Sequence, residues 1–413
     1  MPERRLFAIV GAGLTGAKAA EELREAGFTG RIVLVGDEVE RPYERPPLSK
    51  GYLLGTEPRD KAYVHEAGWY AAHDVELLLG VRATALDTSA HTLSLDGHEP
   101  LRYDKLLLAT GSRPRLLDVP GADLSGVRYL RTLPDADALT KNVPGAGRVV
   151  VVGAGWIGLE TAAAARTHGA EVTVVEMDRA PLRRVLGDEV AEVFADLHRA
   201  HGVVFRFGVG VREFRGSDGR LASVVLTDGT ELPADLAIVG IGIAPVTELA
   251  EAAGLVVDNG IAVDASLRTS DPDVYAAGDV ASAVHLVLRR RIRVEHWSNA
   301  LNGGKAAARA MLGEPVVYER IPYFFTDQYD LGMEYSGWVE PGGYDAVVFR
   351  GDRAGGEFTA FWLRDGRVLA GMNVNVWDVQ DQIQALVRAG YAGKAVDPAR
   401  LADPEVPLDS LVS

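Results

Sequence analysis

Two glycine-rich turns, each set between an apolar β-branched run and an alanine-rich stretch, constrain this chain more than any other feature. The first, Gly11-Ala12-Gly13-Leu14-Thr15-Gly16, follows Leu6-Phe7-Ala8-Ile9-Val10. The second, Gly153-Ala154-Gly155-Trp156-Ile157-Gly158, follows Val149-Val150-Val151-Val152. In such a fingerprint the first glycine makes the tight turn and the second lets the backbone approach a pyrophosphate. The third packs helix on strand, and the helix N-terminus offers free N–H groups and a favourable dipole. One such turn also occurs for purely structural reasons. Two in full strand–turn–helix context imply two dinucleotides bound at once, an arrangement suited to electron transfer between cofactors.

The surrounding pattern is α/β. Residues 6–10, 31–35 and 105–109 read as parallel core strands, with a helix over about 14–27. The stretch 87–101 alternates like a small antiparallel excursion, and Pro114, Pro120 and Gly121 mark a crossing between domains. The plan then restarts: strand 148–152, helix 157–168, strand 171–175, helix 188–201, and strands onward to Leu236-Ala237-Ile238-Val239-Gly240. The two halves are an internal repeat of one βαβ plan. A third βα segment ends near Gly313. Residues 320–413 form a different, aromatic-rich α+β region with strands at 345–350, 357–363 and 367–372 and a helix over about 377–389. The tail after Pro398 is expected to be loosely held.

Composition narrows the chemistry. A chain of 413 residues suggests two or three domains. It contains no cysteine, which rules out disulfides, thiolate zinc, cysteine-bound iron–sulfur clusters and a CxxC redox pair. Redox work must therefore run on a bound organic cofactor or a non-thiolate metal. His198 and His201 have helical spacing but lack a carboxylate and a third ligand, so they are read as solvated surface residues and no metal is proposed. A formal charge of −15 argues against nucleic-acid binding. No apolar stretch has the length of a membrane span. Met1-Pro2-Glu3-Arg4-Arg5 runs straight into the first strand, so no signal peptide and a cytoplasmic location are expected. The basic run Arg289-Arg290-Arg291-Ile292-Arg293 reads either as a solvated hairpin turn or as a docking surface for an acidic partner.

A dinucleotide site carries an acid at the end of its second strand for the ribose hydroxyls. In the second half that acid is Glu176, after Val172-Thr173-Val174-Val175. A carboxylate there accepts both hydroxyls of NADH and repels the 2′-phosphate of NADPH. NADH is therefore expected over NADPH, although Arg179, Arg183 and Arg184 lie close enough to blur the preference. In the first half the strand ends in Gly36, and Asp37 is better placed than Glu38 for the ribose. Arg41-Pro42-Tyr43-Glu44-Arg45-Pro46-Pro47-Leu48-Ser49-Lys50 follows. Its prolines predict a rigid loop without regular structure, and its Arg, Ser and Lys call for a polar ligand.

The segment Glu44-Arg45-Pro46-Pro47-Leu48-Ser49-Lys50 resembles a loop of the FAD-dependent, oxygenase-coupled NAD(P)H:ferredoxin reductases. Leu107-Leu108-Ala109-Thr110-Gly111-Ser112-Arg113-Pro114 is similar to their ATG box. Thr269-Ser270-Asp271-Pro272-Asp273-Val274-Tyr275-Ala276-Ala277-Gly278-Asp279 is similar to the GD box that closes their FAD site. Tyr323-Phe324-Phe325-Thr326-Asp327-Gln328-Tyr329-Asp330 is similar to the start of their C-terminal domain, although Phe324 and Phe325 stand where tryptophans are common. The resemblance covers essentially the whole chain.

That resemblance implies two Rossmann-like dinucleotide-binding domains in a glutathione-reductase-like α/β fold, plus a C-terminal α+β interface domain that packs over the flavin. The FAD-binding domain would comprise 1–118 and 242–318, the NAD(H)-binding domain 119–241 and the interface domain 319–413. FAD contacts are expected at Gly11, Gly13, Thr15, Gly16, Asp37, Arg45, Lys50, Ala83, Ala109, Thr110, Gly111, Arg131, Gly278, Asp279 and Trp297. NADH contacts are expected at Gly153, Gly155, Ile157, Gly158, Glu160, Glu176, Arg184 and Gly242. Two of these have a physical rationale of their own. Asp279 falls at a strand end before a predicted helix, suited to a ribityl hydroxyl, and Arg131 is a cation suited to the pyrophosphate.

In the family a lysine and a glutamate pair near flavin N5, and Lys50 and Glu160 match them. Both charges would be largely desolvated, so losing one would cost about 3–5 kcal/mol. Lys50 is expected to steady the reduced flavin and Glu160 to position the nicotinamide. The implied path runs from NADH through FAD to an acidic [2Fe–2S] ferredoxin serving a cytochrome P450 or a ring-hydroxylating dioxygenase. Docking is expected near Arg289, Arg290, Arg291 and Arg293, with Lys305 and Arg309 adding charge, on a monomer or weak dimer. The alternatives are an NADH oxidase or quinone-type reductase and a redox-sensing flavoprotein, both resembling apoptosis-inducing factor.

Overall fold

The computed structural model describes residues 5–412, so the first four residues, on which the expectation about a leader rests, lie outside the described part. The chain forms two compact units. One holds the residues up to Glu44 together with Ala62–Arg113 and Ala244–Tyr323. The other holds Arg45–Lys61, Pro114–Ile243 and the residues from Phe324 onward. The central insert and the C-terminal region thus share a unit, and they take with them the second half of the proline segment. The three-domain division itself remains a proposal.

The first unit is built on a five-stranded parallel sheet. Its order is Val274–Ala276, Lys105–Leu108, Leu6–Val10, Arg31–Gly36 and Val75–Leu79. The central strands read as unbroken apolar runs because both faces are covered: Ala8, Ile9, Val33, Leu34 and Leu106 through Leu108 are fully buried. The helix Leu14–Glu25 leaves the first strand at the glycine turn and packs along the helix Trp297–Met311. Gly304 makes that packing close, since a Cβ there would lie 2.3 Å from the Thr15 carbonyl oxygen. Arg309 Nε bonds Glu22 Oε1 at 2.6 Å across the same seam. The antiparallel excursion is present as Ala83–Asp87, Thr92–Leu95 and Leu101–Arg102.

The second unit repeats the plan. Its parallel sheet has the order Val204–Phe207, Glu171–Glu176, Arg148–Val152, Leu236–Val239 and Val127–Arg128. The C-terminal region is a five-stranded sheet ordered Tyr323–Gln328, Leu331–Gly337, Arg367–Val374, Glu357–Arg364 and Ala346–Asp352. The helix Gln380–Tyr391 lies across it, seated on Gly371 and Gly390.

Two expectations need correction. The proline segment is not without regular structure. Pro46–Ser49 forms a helical turn, because Pro46 and Pro47 sit at its first positions, where the missing N–H is not needed, and Gly51–Leu54 forms a second turn directly after it. The long helix expected over 188–201 is present: within Arg183–Ala200 the non-helical Gly187, with φ +78°, separates a short first turn from the helix proper. The tail after Pro398 is anchored. It forms the helix Pro398–Ala402, Leu401 is fully buried, and the Arg350 guanidinium bonds the carbonyls of Asp403 (2.6 Å), Pro404 (3.1 Å) and Val406 (2.8 Å). A cation serving several carbonyls of an irregular strand replaces the missing backbone ladder. Arg350→Ala should cost about 1–3 kcal/mol and open residues 401–412 to proteolysis. Limited digestion followed by mass spectrometry, beside a urea melt, checks this; an unchanged cleavage pattern would contradict it.

Candidate functional site

Each glycine turn is shaped by backbone meeting backbone. Gly11 has φ +116°, and a Cβ on it would lie 2.1 Å from the Ala109 carbonyl oxygen. Gly153 has φ +98°, and its Cβ would lie 2.4 Å from the Gly240 carbonyl oxygen. A Cβ on the third glycines, Gly16 and Gly158, would lie 2.1 and 2.0 Å from the carbonyl oxygens of Gly11 and Gly153. The middle glycines differ. Gly13 and Gly155 are helix N-caps in extended conformation, no side chain caps either helix, and a Cβ on either would meet nothing within 4 Å. An uncapped helix start facing open space, with its amides unclaimed by side chains, fits a diphosphate. Both turns therefore suit a dinucleotide.

In the first unit the structure gathers most of the expected FAD contacts. Gly278 touches Thr15, since a Cβ on Gly278 would lie 2.4 Å from Thr15 Oγ1, and its φ is +78°. Ala109 and Thr110 back Gly11, and Gly111 continues that turn with φ +67°. Thr110 Oγ1 donates to the Val246 carbonyl at 2.7 Å. Trp297 opens its helix and donates its indole N–H to Glu44 at 2.9 Å. Asp37 is exposed just past the strand end, whereas Glu38 accepts from the Tyr43 hydroxyl at 2.6 Å. Ala83 begins a strand of the antiparallel excursion, near Gly36 through the backbone bond from Val81. Asp279 departs from expectation: it sits in a single 3₁₀ turn that leads into the strand Ala281–His285, and the helix comes only at Trp297. Arg45 and Arg131 belong to the second unit, where the Arg45 guanidinium bonds the Arg131 carbonyl.

The NAD-type half is equally ordered. Glu176 is held against the glycine turn, its two oxygens accepting from the amides of Ala154 (2.7 Å) and Asp178 (2.8 Å). Ile157 is 41% exposed beside that turn, and Gly242 has φ +97° with its carbonyl bonded by Arg115. The nearby arginines are occupied. Arg179 and Arg183 both bind Asp188, at 2.5 and 2.6 Å, and those hydrogen bonds hold the Asp188 carboxyl below its ordinary value. Arg183 also reaches Asp178 at 3.3 Å, and the exposed Arg184 lies 3.8 Å from the same carboxylate. Sequence reasoning missed Asp178 and Asp188, because acids beside arginines look like ordinary surface charge.

The most concentrated chemistry surrounds Glu160. The helix Trp156–Thr167 carries it one turn in, only 4% exposed. Lys50 Nζ donates to Oε1 at 2.5 Å, Thr326 Oγ1 donates to the same oxygen at 2.6 Å, and Ser49 Oγ donates to Oε2. The Lys50–Glu160 pair expected from the sequence is thus formed inside one unit, and Ser49 and Thr326 join it unforeseen. Lys50 Nζ also lies 5.4 Å from the Phe325 ring centre. Burial pushes the neighbouring Asp327 carboxyl upward, Lys50 opposing and Glu160 reinforcing the shift.

One further expectation is corrected. His198 is no surface residue. It is fully buried, its Nε2 lies 2.8 Å from Gln328 Oε1, and burial lowers its pKa to about 4, while His201 stacks on Tyr329 at 3.7 Å. The basic run forms the hairpin strand Arg290–Arg293, and two of its arginines are engaged by neighbouring groups, although Arg291 stays exposed. Arg291 bonds the carbonyls of Val263 and Ser282, and Arg293 bonds Glu295 and the Asp279 carbonyl. Arg309 is paired with Glu22, and Lys305 lies 3.8 Å from Glu21. Arg289 and Arg290 stay exposed at the turn.

Two dinucleotide folds with uncapped glycine turns, one carrying a buried Lys–Glu pair and neither a cysteine, define a flavin- and pyridine-nucleotide-dependent oxidoreductase. The chain belongs to the pyridine nucleotide-disulphide oxidoreductase family, whose model matches residues 6–304, and a reductase C-terminal model matches residues 323–412. It is 41% identical over 407 residues to the ferredoxin–NAD(+) reductase component of the anthranilate 1,2-dioxygenase system of Burkholderia cepacia, covering 98% of this chain and 99% of that one. The crystal structure of the ferredoxin reductase for the CYP199A2 system from Rhodopseudomonas palustris matches with a TM-score of 0.93 at 37% identity, covering 99% and 100% of the two chains. A putidaredoxin reductase, solved in covalent complex with putidaredoxin, also gives 0.93 at 38% identity, covering 99% and 98%. The chain is an enzyme that uses FAD and NAD(H). Among the described residues no helix is long and apolar enough to cross a membrane.

The glycine geometry separates folding from binding. Gly155→Ala should leave thermal stability nearly unchanged and raise KM for NADH about tenfold or more, because its methyl would enter only the ligand's space. Gly153→Ala should instead destabilise the fold, since φ +98° and the Gly240 carbonyl both oppose a side chain. Melting curves and steady-state kinetics on both variants check the split; equal behaviour would contradict it.

Proposed function

We propose that this enzyme passes electrons from NADH through FAD to a [2Fe–2S] ferredoxin that serves a cytochrome P450 or a ring-hydroxylating dioxygenase. The observation that carries the reading is the buried Lys50–Glu160 pair on the NAD-type half of a chain without cysteine. A member of this family that lacks thiols has no disulfide to reduce, so electrons must leave from the flavin itself. Relatives named as ferredoxin reductases of dioxygenase and P450 systems support the same acceptor.

Bound FAD would supply the exchange between two-electron and one-electron chemistry that links NADH to a one-electron acceptor. The protein's part is placement. The amides after Gly13 and Gly155 hold the two pyrophosphates, with Thr15, Gly278 and Asp279 lining the flavin chain and Arg45 and Arg131 adding charge. Glu176 takes the ribose hydroxyls of NADH. Glu160 holds the nicotinamide, and Lys50 offers a positive charge where the reduced flavin gains a negative one. Asp188 and Asp178 occupy the arginines that would otherwise bind a 2′-phosphate. The exposed Arg289 and Arg290 steer an acidic ferredoxin.

Anaerobic stopped flow with NADH, followed by ferredoxin-dependent cytochrome c reduction, tests the assignment. The wild-type flavin should bleach rapidly, and cytochrome c should be reduced only when ferredoxin is added. Lys50→Met should slow bleaching about tenfold or more. Reversing Arg289 and Arg290 to glutamate should weaken ferredoxin turnover most at low salt and leave ferricyanide reduction intact. Brisk oxygen consumption without ferredoxin would overturn the reading in favour of an oxidase.

Cofactor choice gives a separate check. kcat/KM should favour NADH by about tenfold or more, and Glu176→Ala should erase most of that ratio by removing the repulsion of the 2′-phosphate. A wild-type preference for NADPH would contradict the role given to Glu176.

A further inference from the structure

The hydrogen bonds at Glu160 do not end at Thr326. On the strand Tyr323–Gln328, Phe324, Thr326 and Gln328 alternate onto the buried face, which carries Thr326 and Gln328 side by side. Gln328 Nε2 donates to Thr326 Oγ1 at 3.1 Å. Behind it, His198 Nε2 faces Gln328 Oε1 at 2.8 Å, and the Tyr329 hydroxyl lies 3.5 Å from His198 Nδ1. Thr326 and Gln328 are each 1% exposed and His198 is fully buried, so water does not compete for these bonds.

The chemistry of each group fixes the direction. A carboxylate only accepts, so the single hydrogen of Thr326 points to Glu160. That leaves the threonine oxygen as acceptor, which the amide N–H₂ of Gln328 satisfies. The Gln328 carbonyl then faces His198, whose Nε2 must carry the proton; the imidazole is neutral near pH 7, and its Nδ1 is left to accept from Tyr329. Every donor in the series points toward Glu160, an orientation in which each bond strengthens the next.

We infer that Thr326, Gln328 and His198 form a one-way relay of positioning residues that holds the Glu160 carboxylate fixed for its work on NADH. The inference rests on the function proposed above. Without the histidine N–H the Gln328 amide is free to turn over, present its oxygen to Thr326, and draw the threonine hydrogen away from Glu160. Lys50 and Ser49 would then hold the carboxylate alone. The charged and titratable groups around the relay are Lys50, Asp327 and Glu334 at the Glu160 end. His201, Tyr329 and Arg166 stand at the His198 end.

The test uses flavin-loaded enzyme in anaerobic stopped flow with NADH, from about pH 5 to about pH 9, where carboxylates and histidines change charge. Thr326→Val, which keeps the shape and loses the hydroxyl, should lower the limiting rate of flavin reduction about tenfold across that range. Its Kd for NADH should change much less. Thr326→Ser should restore the wild-type profile, and His198→Phe should resemble Thr326→Val. A merely structural role would lower flavin content or melting temperature and leave the limiting rate and its pH profile unmoved. Wild-type rates and profiles in flavin-loaded Thr326→Val would overturn the relay. Should that variant fail to retain flavin, Gln328→Met takes its place with the same expected and contrary outcomes. Failure of the wild-type enzyme to be reduced by NADH would instead sink the functional reading beneath it.

Discussion

Close approach of backbone to backbone at the two glycine turns is the constraint on which the rest depends. A side chain at Gly11 or Gly153 would stand well inside the contact distance of the Ala109 or Gly240 carbonyl oxygen, and both residues have positive φ. The same geometry seats the third glycines on the first ones and aims each helix start outward. Once the turns are made, the dinucleotide positions follow from the helix axes. The parallel sheets supply rigidity: their central strands are buried on both faces, so the turns cannot shift without disturbing the core.

Burying Glu160 is the costliest feature of the second unit. A carboxylate that is 4% exposed is tolerated only when it is hydrogen-bonded, and three donors from two separated stretches of chain, Ser49 with Lys50 and Thr326, supply those bonds. The short helical turns at Pro46–Ser49 and Gly51–Leu54, the helix Trp156–Thr167 and the strand Tyr323–Gln328 are thereby tied together by polar bonds with strict geometry. Ordinary apolar packing would permit small slides between these elements. A charged hydrogen bond does not, which is a physical reason to place a cofactor-positioning group at such a junction.

The sequence revealed what repeats along the chain and hid what depends on long-range partners. Periodicity and glycine placement located the strands 6–10 and 148–152, their helices and the last three C-terminal strands to within a few residues, but not Tyr323–Gln328 or Leu331–Gly337. The Lys50–Glu160 pair was legible because both residues sit in recognisable motifs. Thr326 lay inside a quoted motif too, but nothing local says that a threonine hydroxyl will meet a carboxylate 166 residues away. His198 looked like a surface histidine because it ends an amphipathic helix; its partner, Gln328, lies 130 residues further on. The basic run shows the converse. Sequence shows the charges of Arg291 and Arg293 but not the carbonyls that use them. The proline segment followed a rule applied too broadly, since proline excludes a helix interior and favours its first turn.

The two halves also show how one backbone plan comes to distinguish two ligands. Their registers superimpose residue for residue: Val10 pairs with Val35 as Val152 pairs with Val175, and Gly11 and Gly153 each bond the carbonyl of the second strand at 2.8 Å. In that alignment Glu176 corresponds to Gly36, and Ala154 to Ala12. Glu176 turns its carboxylate back onto the Ala154 amide, bracing the turn from the strand end. At Gly36 even a Cβ would lie 2.5 Å from the Ala12 Cβ, so no side chain fits and the first acid is displaced to the exposed Asp37. A one-residue change in where the acid can stand gives the two turns different acidic surroundings on the same scaffold. Duplication of the fold supplied two phosphate cradles, and steric exclusion at a single strand end made them unequal.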